Sequence, residues 1–311
     1  MLFSRVTSGK PDLSVIILTY NTRDFTLACV RAVLTEVTAS PYTIEVIVVD
    51  NASTDDTVAR LREQYPAVRL VVNEANLGFA LGNNVGLAMA QGRYLLLLNS
   101  DTETQANALT SLVAFMEAHP DAGACGPQLL NSDGSLQPSG RDLPSVWGMF
   151  AGMTKLYRLG KRDFYLQPGR DYCQVARVGE VSGAALLVRR EVYEKVGGLD
   201  PNIFAYYEDI DWCKRIGEAG YAVYYVPSAR VMHHWKSTAR TVSHLAYRAS
   251  QDSQRYYFAK HHRRLANWFL RGLLVAKELA LILFYFVLWD HAARRFHQHM
   301  LFNAFAPLRK A

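Results

Sequence analysis

Short apolar runs alternate with helical patterns along the first 120 residues of the chain. Four of these runs, Leu13–Thr19, 44–49, 68–72 and 94–101, are mostly apolar and have the length of buried strands. Continuous apolar strands are typical of parallel sheets that helices cover on both faces. Apolar residues at helical spacing follow each run, and the first helix is expected at about 26–34. The order strand, helix, strand predicts right-handed βαβ units and an α/β fold with a mostly parallel, Rossmann-like central sheet flanked by helices.

Each of the four runs ends in small polar residues. Ligands of open α/β sheets bind outside the carboxyl ends of the strands, so these residues are predicted to line a crevice. The candidates, in chain order, are Tyr20, Asn21, Asp50, Ser53, Asn76, Gly78, Asn83, Asn84, Asn99, Ser100 and Asp101.

A purely structural interpretation competes with this one at several positions. Asp101 can cap the following helix, and Ser53 can cap the helix after the second run. Asp50, however, precedes the cap position, and a carboxylate there can accept hydrogen bonds from a nucleotide base or from ribose hydroxyls. Asn83 and Asn84 fall within the early turns of a helix, where asparagine has poor propensity, and are for that reason predicted to line the crevice.

The positive charge of the chain is confined to its C-terminal part. The 311 residues carry a formal charge of +6, yet the segment from Arg255 onward has ten Lys and Arg against two Asp and Glu. The first 254 residues therefore have a net charge of −2, which argues against a nucleic-acid-binding protein. A basic tail that is also rich in apolar residues indicates an anionic membrane surface as a partner.

Cysteine spacing and the N-terminus bear on the cellular compartment. The four cysteines, Cys29, Cys125, Cys173 and Cys213, form no Cys-x-x-Cys pair, which argues against a zinc site and fits reduced thiols. The N-terminal residues lack the sustained apolar core of a signal peptide. The catalytic part is therefore predicted to stay in the cytoplasm.

Several motifs in a fixed order resemble one enzyme family. The first half contains ILTYN, VVDNASTDDT, NLGFALGNNVG and LLLLNSD, and the second half contains VSGAALLVRR, GGLD, FAYYEDIDWCKR and VMHH. Together they resemble the family 2 glycosyltransferases, most closely the bacterial rhamnosyltransferase-like branch, over about residues 13–240. The resemblance implies the GT-A fold, with a donor half at 1–130, an acceptor half at 131–245 and a helical tail at 246–311.

The resemblance also implies roles for individual residues. A divalent cation, Mg²⁺ or Mn²⁺, would be held by Asp101 and by His233. His233 is preferred to His234 because it follows a short strand expected at 224–227, at the position that the family pattern marks. Oxygen and imidazole ligands suit both ions, and such a cation can neutralise the diphosphate of a departing nucleotide. Asn99 stands where many relatives have the first aspartate of an Asp-x-Asp motif. The expected site therefore has one negative charge fewer.

The acidic cluster of the second half would supply the base. The resemblance implies that Asp209 takes the acceptor proton, and Glu208 and Asp211 would then orient the base or contact the acceptor. Gly183 would leave room for the sugar, although close strand packing explains a glycine there equally well. Neighbouring aromatic residues are expected to desolvate a carboxylate there and raise its pKa. The alternatives are a solvated acidic helix face and an ion pair of Asp211 with Arg215, four residues on.

The predicted reaction is a single displacement with inversion, through an oxocarbenium-like transition state. The expected donor is dTDP-rhamnose and the expected acceptor a surface polysaccharide or a lipid-linked glycan. Another donor such as a UDP-hexose is the alternative, followed by a non-catalytic sugar-nucleotide-binding module. Arg141 is interpreted as a solvated loop residue, and the loop 235–241, with Lys236 and Arg240, as a lid over the diphosphate.

The C-terminal tail contains an apolar segment at residues 265–289. Charged residues interrupt it, and its longest uncharged run, 279–289, has eleven residues, against the ~20 that a transmembrane helix needs. Tryptophans and arginine pairs border the segment. These features predict a monotopic helix in the membrane interface at the cytoplasmic face of the plasma membrane, with a soluble helix that packs on protein, in the monomer or a homo-oligomer, as the alternative.

Overall fold

The computed structural model describes residues 9–154, 171–234 and 244–305. The chain divides into two compact units. The sheet unit comprises Met1–Arg141, Asp171–Pro201 and Glu208–Thr238, and the helical unit comprises Asp142–Arg170, Asn202–Tyr207 and Ala239–Ala311.

The described strands and helices alternate through most of the chain. The strands are β1 Leu13–Thr19, β2 Ile44–Asp50, β3 Arg69–Val72, β4 Tyr94–Asn99, β5 Thr102–Thr104, β6 Ala122–Leu130, β7 Leu136–Gln137, β8 Gly140–Arg141, β9 Ala176–Val178, β10 Glu180–Val181, β11 Ala185–Arg189 and β12 Ala222–His233. The helices are α1 Arg23–Ala39, α2 Thr57–Gln64, α3 Gly78–Met89, α4 Ala108–Ala118, α5 Val146–Thr154, α6 Arg190–Val196, α7 Glu208–Glu218, α8 His244–His261, α9 Arg264–Val287 and α10 His291–Asn303.

The sheet unit is built on one large sheet with the order β3-β2-β1-β4-β11-β6-β12-β5. Strands β3, β2, β1 and β4 are mutually parallel, as are β6 and β12. Strand β11 runs antiparallel between β4 and β6, and β5 runs antiparallel at the edge beside β12. The predicted mostly parallel central sheet with flanking helices is confirmed.

The central strands are buried on both faces, as their apolar sequences predict. Ile17 and Leu96 belong to a core cluster that includes side chains of α1 and α4. Ile16 and Leu97 belong to a second cluster that includes side chains of α3, α6 and α7. Successive side chains of a strand point to opposite faces, so each strand contributes to both clusters.

Glycines allow α3 to lie close against β1. A Cβ atom added at Gly82 would come within 2.6 Å of Leu18 Cδ1, and one added at Gly86 would overlap the side chain of Ile16. The close approach keeps the start of α3 beside the carboxyl ends of β1 and β2.

The bounds of α1 and β12 and the cap expected at Asp101 differ from the structure. Helix α1 begins earlier and ends later than the predicted 26–34, and β12 extends over Ala222–His233 instead of the predicted 224–227. Pro227 is tolerated in this long strand because it lies within a shift of the β12–β6 register between Val226 and Arg230. The residue before α4 is Asn107, so Asp101 does not cap that helix.

The helical unit has a polar interior. Glu278 of α9 is fully buried, and its Oε1 accepts hydrogen bonds from Tyr247 at 2.7 Å and Gln251 at 3.2 Å. His297 of α10 contacts the other oxygen at 2.7 Å. Three helices thus meet at one carboxylate. Among the described helices, none combines the length and apolarity needed to cross a membrane.

Candidate active site

The polar residues that follow β1, β2 and β4 lie together at one edge of the sheet. In the parallel register, Thr19 pairs with Asp50 on one side, and Leu18 pairs with Asn99 on the other. The loops that leave these three strands therefore begin side by side. This edge is where the sequence predicts a ligand-binding crevice.

Asn21 joins the first two loops. Its backbone N–H donates to Ser53 Oγ at 2.9 Å, and its Oδ1 accepts from the backbone N–H of Thr54 at 2.7 Å. Asn21 has a φ of 52°, in the left-handed region that asparagine tolerates better than most residues. Tyr20, directly before it, is 44% exposed and is accessible to a ligand.

Asp50 has one oxygen without a hydrogen-bond partner. The residue is fully buried, and its Oδ2 accepts from the backbone N–H of Ser53 at 2.8 Å. Its Oδ1 receives no hydrogen bond from any described residue. An unsatisfied buried carboxylate oxygen is costly, so it indicates a donor group on a ligand.

Asn51, which was not among the candidates from the sequence, organises the third loop. This buried side chain donates to the carbonyl of Gly78 at 2.9 Å and to Asn76 Oδ1 at 3.3 Å. Asn76 Oδ1 in turn accepts from the backbone N–H of Gly78, whose φ of 78° favours glycine. These contacts hold the start of α3 in place, and nothing in the local sequence distinguishes Asn51 from its polar neighbours.

Asn83 and Asn84 make hydrogen bonds within the protein. Asn83 is buried and donates to the carbonyl of Phe79 at 3.0 Å. Asn84 donates to the carbonyl of Leu199 at 2.8 Å and accepts from the N–H of the same residue at 2.9 Å. The bidentate contact ties α3 to the loop after α6, which gives this asparagine a structural role, while its expected donor contact stays a prediction.

Strand β5 brings Asp101 and His233 together. His233, at the end of β12, pairs with Thr102 of β5, and the carbonyl of Asp101 accepts from the N–H of His234 at 2.9 Å. Both predicted ligands are buried, and Asp101 Oδ1 lies 3.4 Å from His233 Nε2. The sequence could not reveal this pairing, because β5 is a short polar strand.

A chain of hydrogen bonds with a defined direction fixes the tautomer of His233. Ser135 Oγ donates to Asp133, because an ionised carboxylate can only accept, and accepts from Asn131 Nδ2 at 2.9 Å. Asn131 Oδ1 accepts from Gln137 Nε2 at 3.0 Å, and Gln137 Oε1 lies 2.7 Å from His233 Nδ1. An amide oxygen cannot donate, so Nδ1 carries a proton, and in the neutral ring the lone pair lies on Nε2, which is 3.4 Å from the carboxylate of Asp101.

His234 is engaged at both ring nitrogens. Its Nε2 lies 2.8 Å from Glu103 Oε1, and its Nδ1 lies 2.8 Å from Ser132 Oγ. These contacts support the choice of His233 as the ligand.

The donor atoms of Asp101 and His233 fit a divalent cation with few protein ligands. A carboxylate oxygen and an imidazole lone pair face each other, and Mg²⁺ and Mn²⁺ accept such ligands while keeping positions for phosphate oxygens and water. Within the described residues, no three His, Cys, Asp or Glu side chains converge. Asn99 uses its backbone to hold the site, since its N–H donates to the carbonyl of Ala184 and its carbonyl accepts from Thr102 Oγ1 at 2.7 Å. Ser100 Oγ contacts Thr22 Oγ1 at 3.0 Å.

Asp209, the predicted base, is held by backbone donors. Its Oδ2 accepts from the N–H of Gly183 at 2.8 Å, and its Oδ1 accepts from the N–H of Ile210 at 2.8 Å. A Cβ atom at Gly183 would lie 3.3 Å from Asp209 Cβ, so the glycine permits this approach. The next residue, Ala184, accepts from the N–H of Asn99, which connects the base to the end of β4.

The other two acidic residues of α7 differ in environment. Asp211 is fully buried and forms the ion pair with Arg215 at 2.8 Å that was the structural alternative for this residue. Arg215 also donates to the carbonyls of Val196 and Gly198, so this pair fixes α7 against the preceding loop. Burial, aided by the charge of Asp209, raises the pKa of Glu208 well above its usual value.

Glu180 is a buried carboxylate that the sequence analysis missed. It is fully buried, lies 2.7 Å from Arg141 and has neither oxygen aligned with a hydrogen-bond donor. Burial raises the pKa of Glu180 to about 8, although Arg141 opposes the effect. The interpretation of Arg141 as a solvated loop residue is wrong, because the short β8–β10 pairing places it beside this carboxylate. The predicted lid with Lys236 and Arg240 lies outside the described residues.

Sequence comparisons identify related proteins. A family model described as glycosyl transferase family 2 matches residues 14–197. The N-acetylglucosaminyl-diphospho-decaprenol L-rhamnosyltransferase of Mycobacterium tuberculosis is 34% identical over 261 residues, which cover 77% of this chain and 84% of that protein. The rhamnosyltransferase WbbL of Escherichia coli is 25% identical over 265 residues, which cover 81% of this chain and 94% of that protein.

Solved structures show the same fold. The mannosyltransferase PcManGT from Pyrobaculum calidifontis, in complex with GDP-Man and Mn²⁺, has a TM-score of 0.53 and 19% identity, covering 97% of this chain and 77% of that chain. GalNAc-T7 with UDP, GalNAc and Mn²⁺ has a TM-score of 0.56 and 18% identity, covering 81% of this chain and 51% of that chain. These likenesses confirm the GT-A fold that the motifs imply.

Proposed function

The chain belongs to the family 2 glycosyltransferases, and from this premise we propose that it transfers rhamnose, with inversion, from dTDP-rhamnose to a lipid-linked glycan. That the protein is a glycosyltransferase acting on a glycan or lipid-linked acceptor follows from its family and relatives. The donor, the stereochemistry and the metal are the proposed part. The observation that carries the proposal is the arrangement at one sheet edge: Asp50 ends β2, Asp101 follows β4 and faces His233 at the end of β12, and Asp209 contacts Gly183 just before β11.

The donor nucleotide would lie over the ends of β1 and β2. The unsatisfied Oδ1 of Asp50 suits the imide N–H of thymine or uracil, which is a hydrogen-bond donor. The half-exposed ring of Tyr20 offers a face for stacking. Both pyrimidines present the same imide, so UDP-hexoses remain the alternative donors.

Asp101 and His233 would hold the divalent cation. Both structural neighbours contain Mn²⁺, which supports this assignment, and the chemistry of the ligands fits Mn²⁺ or Mg²⁺. Once bound, the cation would neutralise charge on the departing diphosphate. The chain's own contribution is to keep the His233 lone pair directed at the site through Gln137.

Asp209 would act as the general base. It would take the proton of the acceptor hydroxyl while the hydroxyl oxygen attacks the anomeric carbon and the bond from that carbon to the diphosphate oxygen breaks. A single displacement of this kind inverts the anomeric configuration and needs no carboxylate nucleophile. The N–H groups of Gly183 and Ile210 hold both carboxylate oxygens, so the base is oriented before the acceptor arrives.

The acceptor places the reaction at a membrane. The mycobacterial relative is named for an N-acetylglucosaminyl-diphospho-decaprenol acceptor. We extend the chemical class, a sugar diphosphate on a polyprenyl lipid, to this protein. Its site of action would then be the cytoplasmic face of the plasma membrane.

A donor panel with a matched pair of variants tests this function. The purified chain is incubated with dTDP-rhamnose, UDP-glucose or GDP-mannose, a synthetic N-acetylglucosaminyl-diphospho-lipid and Mn²⁺, and the product is analysed by mass spectrometry and by NMR of the anomeric proton. Asp209→Asn should lower the rate by about 10²-fold or more. Glu63→Gln, on the exposed face of α2, should leave it unchanged.

Each outcome of this panel has a defined meaning. Product from dTDP-rhamnose with the opposite anomeric configuration supports the whole proposal. Product from another donor alone would identify that sugar nucleotide, in place of dTDP-rhamnose, as the donor. Retained anomeric configuration would contradict the single displacement. Donor binding without transfer by the wild-type chain, with acceptor present, would favour the non-catalytic binding module.

A further inference from the structure

The helix α9 exposes an uncharged stripe along its whole length. The stripe consists of residues spaced three or four apart, all exposed: Leu265, Phe269, Gly272, Ala276, Leu279, Leu283 and Phe286. Leu265 is 83% exposed and Leu283 is 65% exposed. Residues at this spacing share one helix face, which from first to last extends about 30 Å at about 1.5 Å per residue.

The opposite face of α9 is buried and includes a charged residue. Its buried residues are Leu270, Leu274 and Glu278, and Glu278 is bonded to side chains of α8 and α10. A helix of a water-soluble protein has the reverse distribution, with its apolar stripe toward the core and charged residues toward water. The medium that contacts the stripe is therefore expected to be apolar.

Aromatic residues widen the stripe and mark its two ends. Trp268 lies in the first turns of α9 and Trp289 follows the last turn, and the latter is 80% exposed. Phe284, Val287 and Leu288 are also exposed beside the stripe. Tryptophan is enriched where a membrane's hydrocarbon meets its headgroups, because its ring is apolar and its N–H is polar.

Cations border the same surface. Residues 244–305 include nine Lys and Arg against three Asp and Glu. The guanidinium of Arg271 lies 5.8 Å from the ring of Trp268, and that of Arg294 lies 5.4 Å from the ring of Phe286. Arg263 and Arg264 precede the stripe. Arginines beside apolar rings match a surface of lipid tails bordered by phosphate headgroups.

We propose that this stripe is a membrane-docking face, with α9 lying in the plane of an anionic bilayer and its bordering arginines at the lipid phosphates. The inference deepens the proposed function, since it explains how the enzyme would meet a lipid-linked acceptor. A second copy of the chain fits the surface less well, because a two-fold contact would bring the same arginine-rich borders together.

Vesicle flotation with the full chain tests the docking face. The vesicles consist of phosphatidylcholine with or without phosphatidylglycerol. We expect binding to the anionic vesicles and at least about tenfold weaker binding to the neutral ones. The double variant Leu283→Glu/Phe286→Glu should lose at least about tenfold in affinity for anionic vesicles, because it places two carboxylates in the stripe. Gln298→Glu adds charge to an exposed position of α10 outside the stripe and should lose far less.

Measurements in solution separate the competing explanations. Circular dichroism and dTDP binding should be the same for the double variant and the wild type, which excludes misfolding. A wild-type chain that does not float with anionic vesicles overturns the proposal. A dimer that the double variant converts to a monomer would assign the stripe to a second copy instead. Vesicle binding without sugar transfer would leave the docking face standing and refute the proposed function alone.

Discussion

Replacing Gln137 by leucine should weaken metal binding without touching a ligand. Gln137 Oε1 is the acceptor 2.7 Å from His233 Nδ1. Leucine has a similar size but no acceptor, so the Nδ1–H would be left unsatisfied at a cost of about 1–3 kcal/mol. The imidazole avoids this cost when the proton moves to Nε2. The lone pair that faces Asp101 is then lost.

The expected size of the effect follows from the role of such partners in metal sites. Loss of the group that orients a ligating histidine typically lowers metal affinity by about 10–100-fold, or about 1.4–2.8 kcal/mol. The orienting chain here ends at the carboxylate of Asp133, and every bond in it has one possible direction. We therefore expect Gln137→Leu to lie within this range, measured as Mn²⁺ affinity by calorimetry in the presence of dTDP.

A metal-free measurement isolates the tautomer. In ¹⁵N NMR, with His233→Gln to assign the signal, the wild-type ring should be protonated at Nδ1. In Gln137→Leu it should be protonated mainly at Nε2. Gln137→Glu keeps an acceptor and should restore the Nδ1–H form. Gln128→Leu, on the neighbouring strand β6 and bonded to the carbonyl of Tyr172, should change neither the tautomer nor the Mn²⁺ affinity.

Two results would refute this reasoning. One is a wild-type His233 ring that carries its proton on Nε2. The other is a Gln137→Leu variant in which the His233 tautomer is changed but the Mn²⁺ affinity stays within about twofold of the wild type. The hydrogen-bond partner of the histidine would then have no influence on metal affinity at this site.

Three further predictions concern buried groups. Burial raises the pKa of Glu180 from 4.5 to about 8. The contribution of Glu180 to the free energy of unfolding is therefore complete below pH 4.5 and is lost as the pH rises through about 8. In urea unfolding, Glu180→Gln should remove this pH dependence, whose slope is about 1.4 kcal/mol per pH unit. Gly183→Ala should lower kcat by about tenfold, because the new Cβ would press on Asp209. The control Gly217→Ala, in open space on α7, should leave kcat unchanged. Equal rates for the two variants would show that the close approach of Gly183 to Asp209 is unimportant. Glu278→Ala leaves buried donors unpaired and should lower the free energy of unfolding by about 3–5 kcal/mol; a loss below about 1 kcal/mol would mean that water replaces the carboxylate.

The parts of the fold that rest on local sequence were predictable. The runs at β1, β2 and β4 are apolar because both faces of the sheet are covered, and an apolar run shows this directly. The strand ends were predictable for the same reason, because polar residues begin where helices no longer cover the sheet. The helix ends and the length of β12 were not predictable. A strand was expected to end at Pro227, but β12 continues past it because the β12–β6 register shifts between Val226 and Arg230.

Much of the candidate site depends on contacts distant in sequence. Glu180 and Arg141 are 39 positions apart and become partners only through the β8–β10 pairing. Gln137 reaches His233 across 96 positions, and Asn84 reaches Leu199 across 115. Side-chain hydrogen bonds of this kind leave no periodic pattern, so a single sequence does not reveal them.

The position of β11 limits how the specificity of this enzyme can be re-engineered. Its sequence belongs to the second half of the chain, yet the strand lies between β4 and β6 of the first half. Exchanging the second half with that of a relative would replace the middle strand of the sheet, along with the Ala184–Asn99 contact beside Asp101, the proposed metal ligand. Donor and acceptor preferences are therefore not modular, and new ones would have to be introduced by single substitutions at the strand ends.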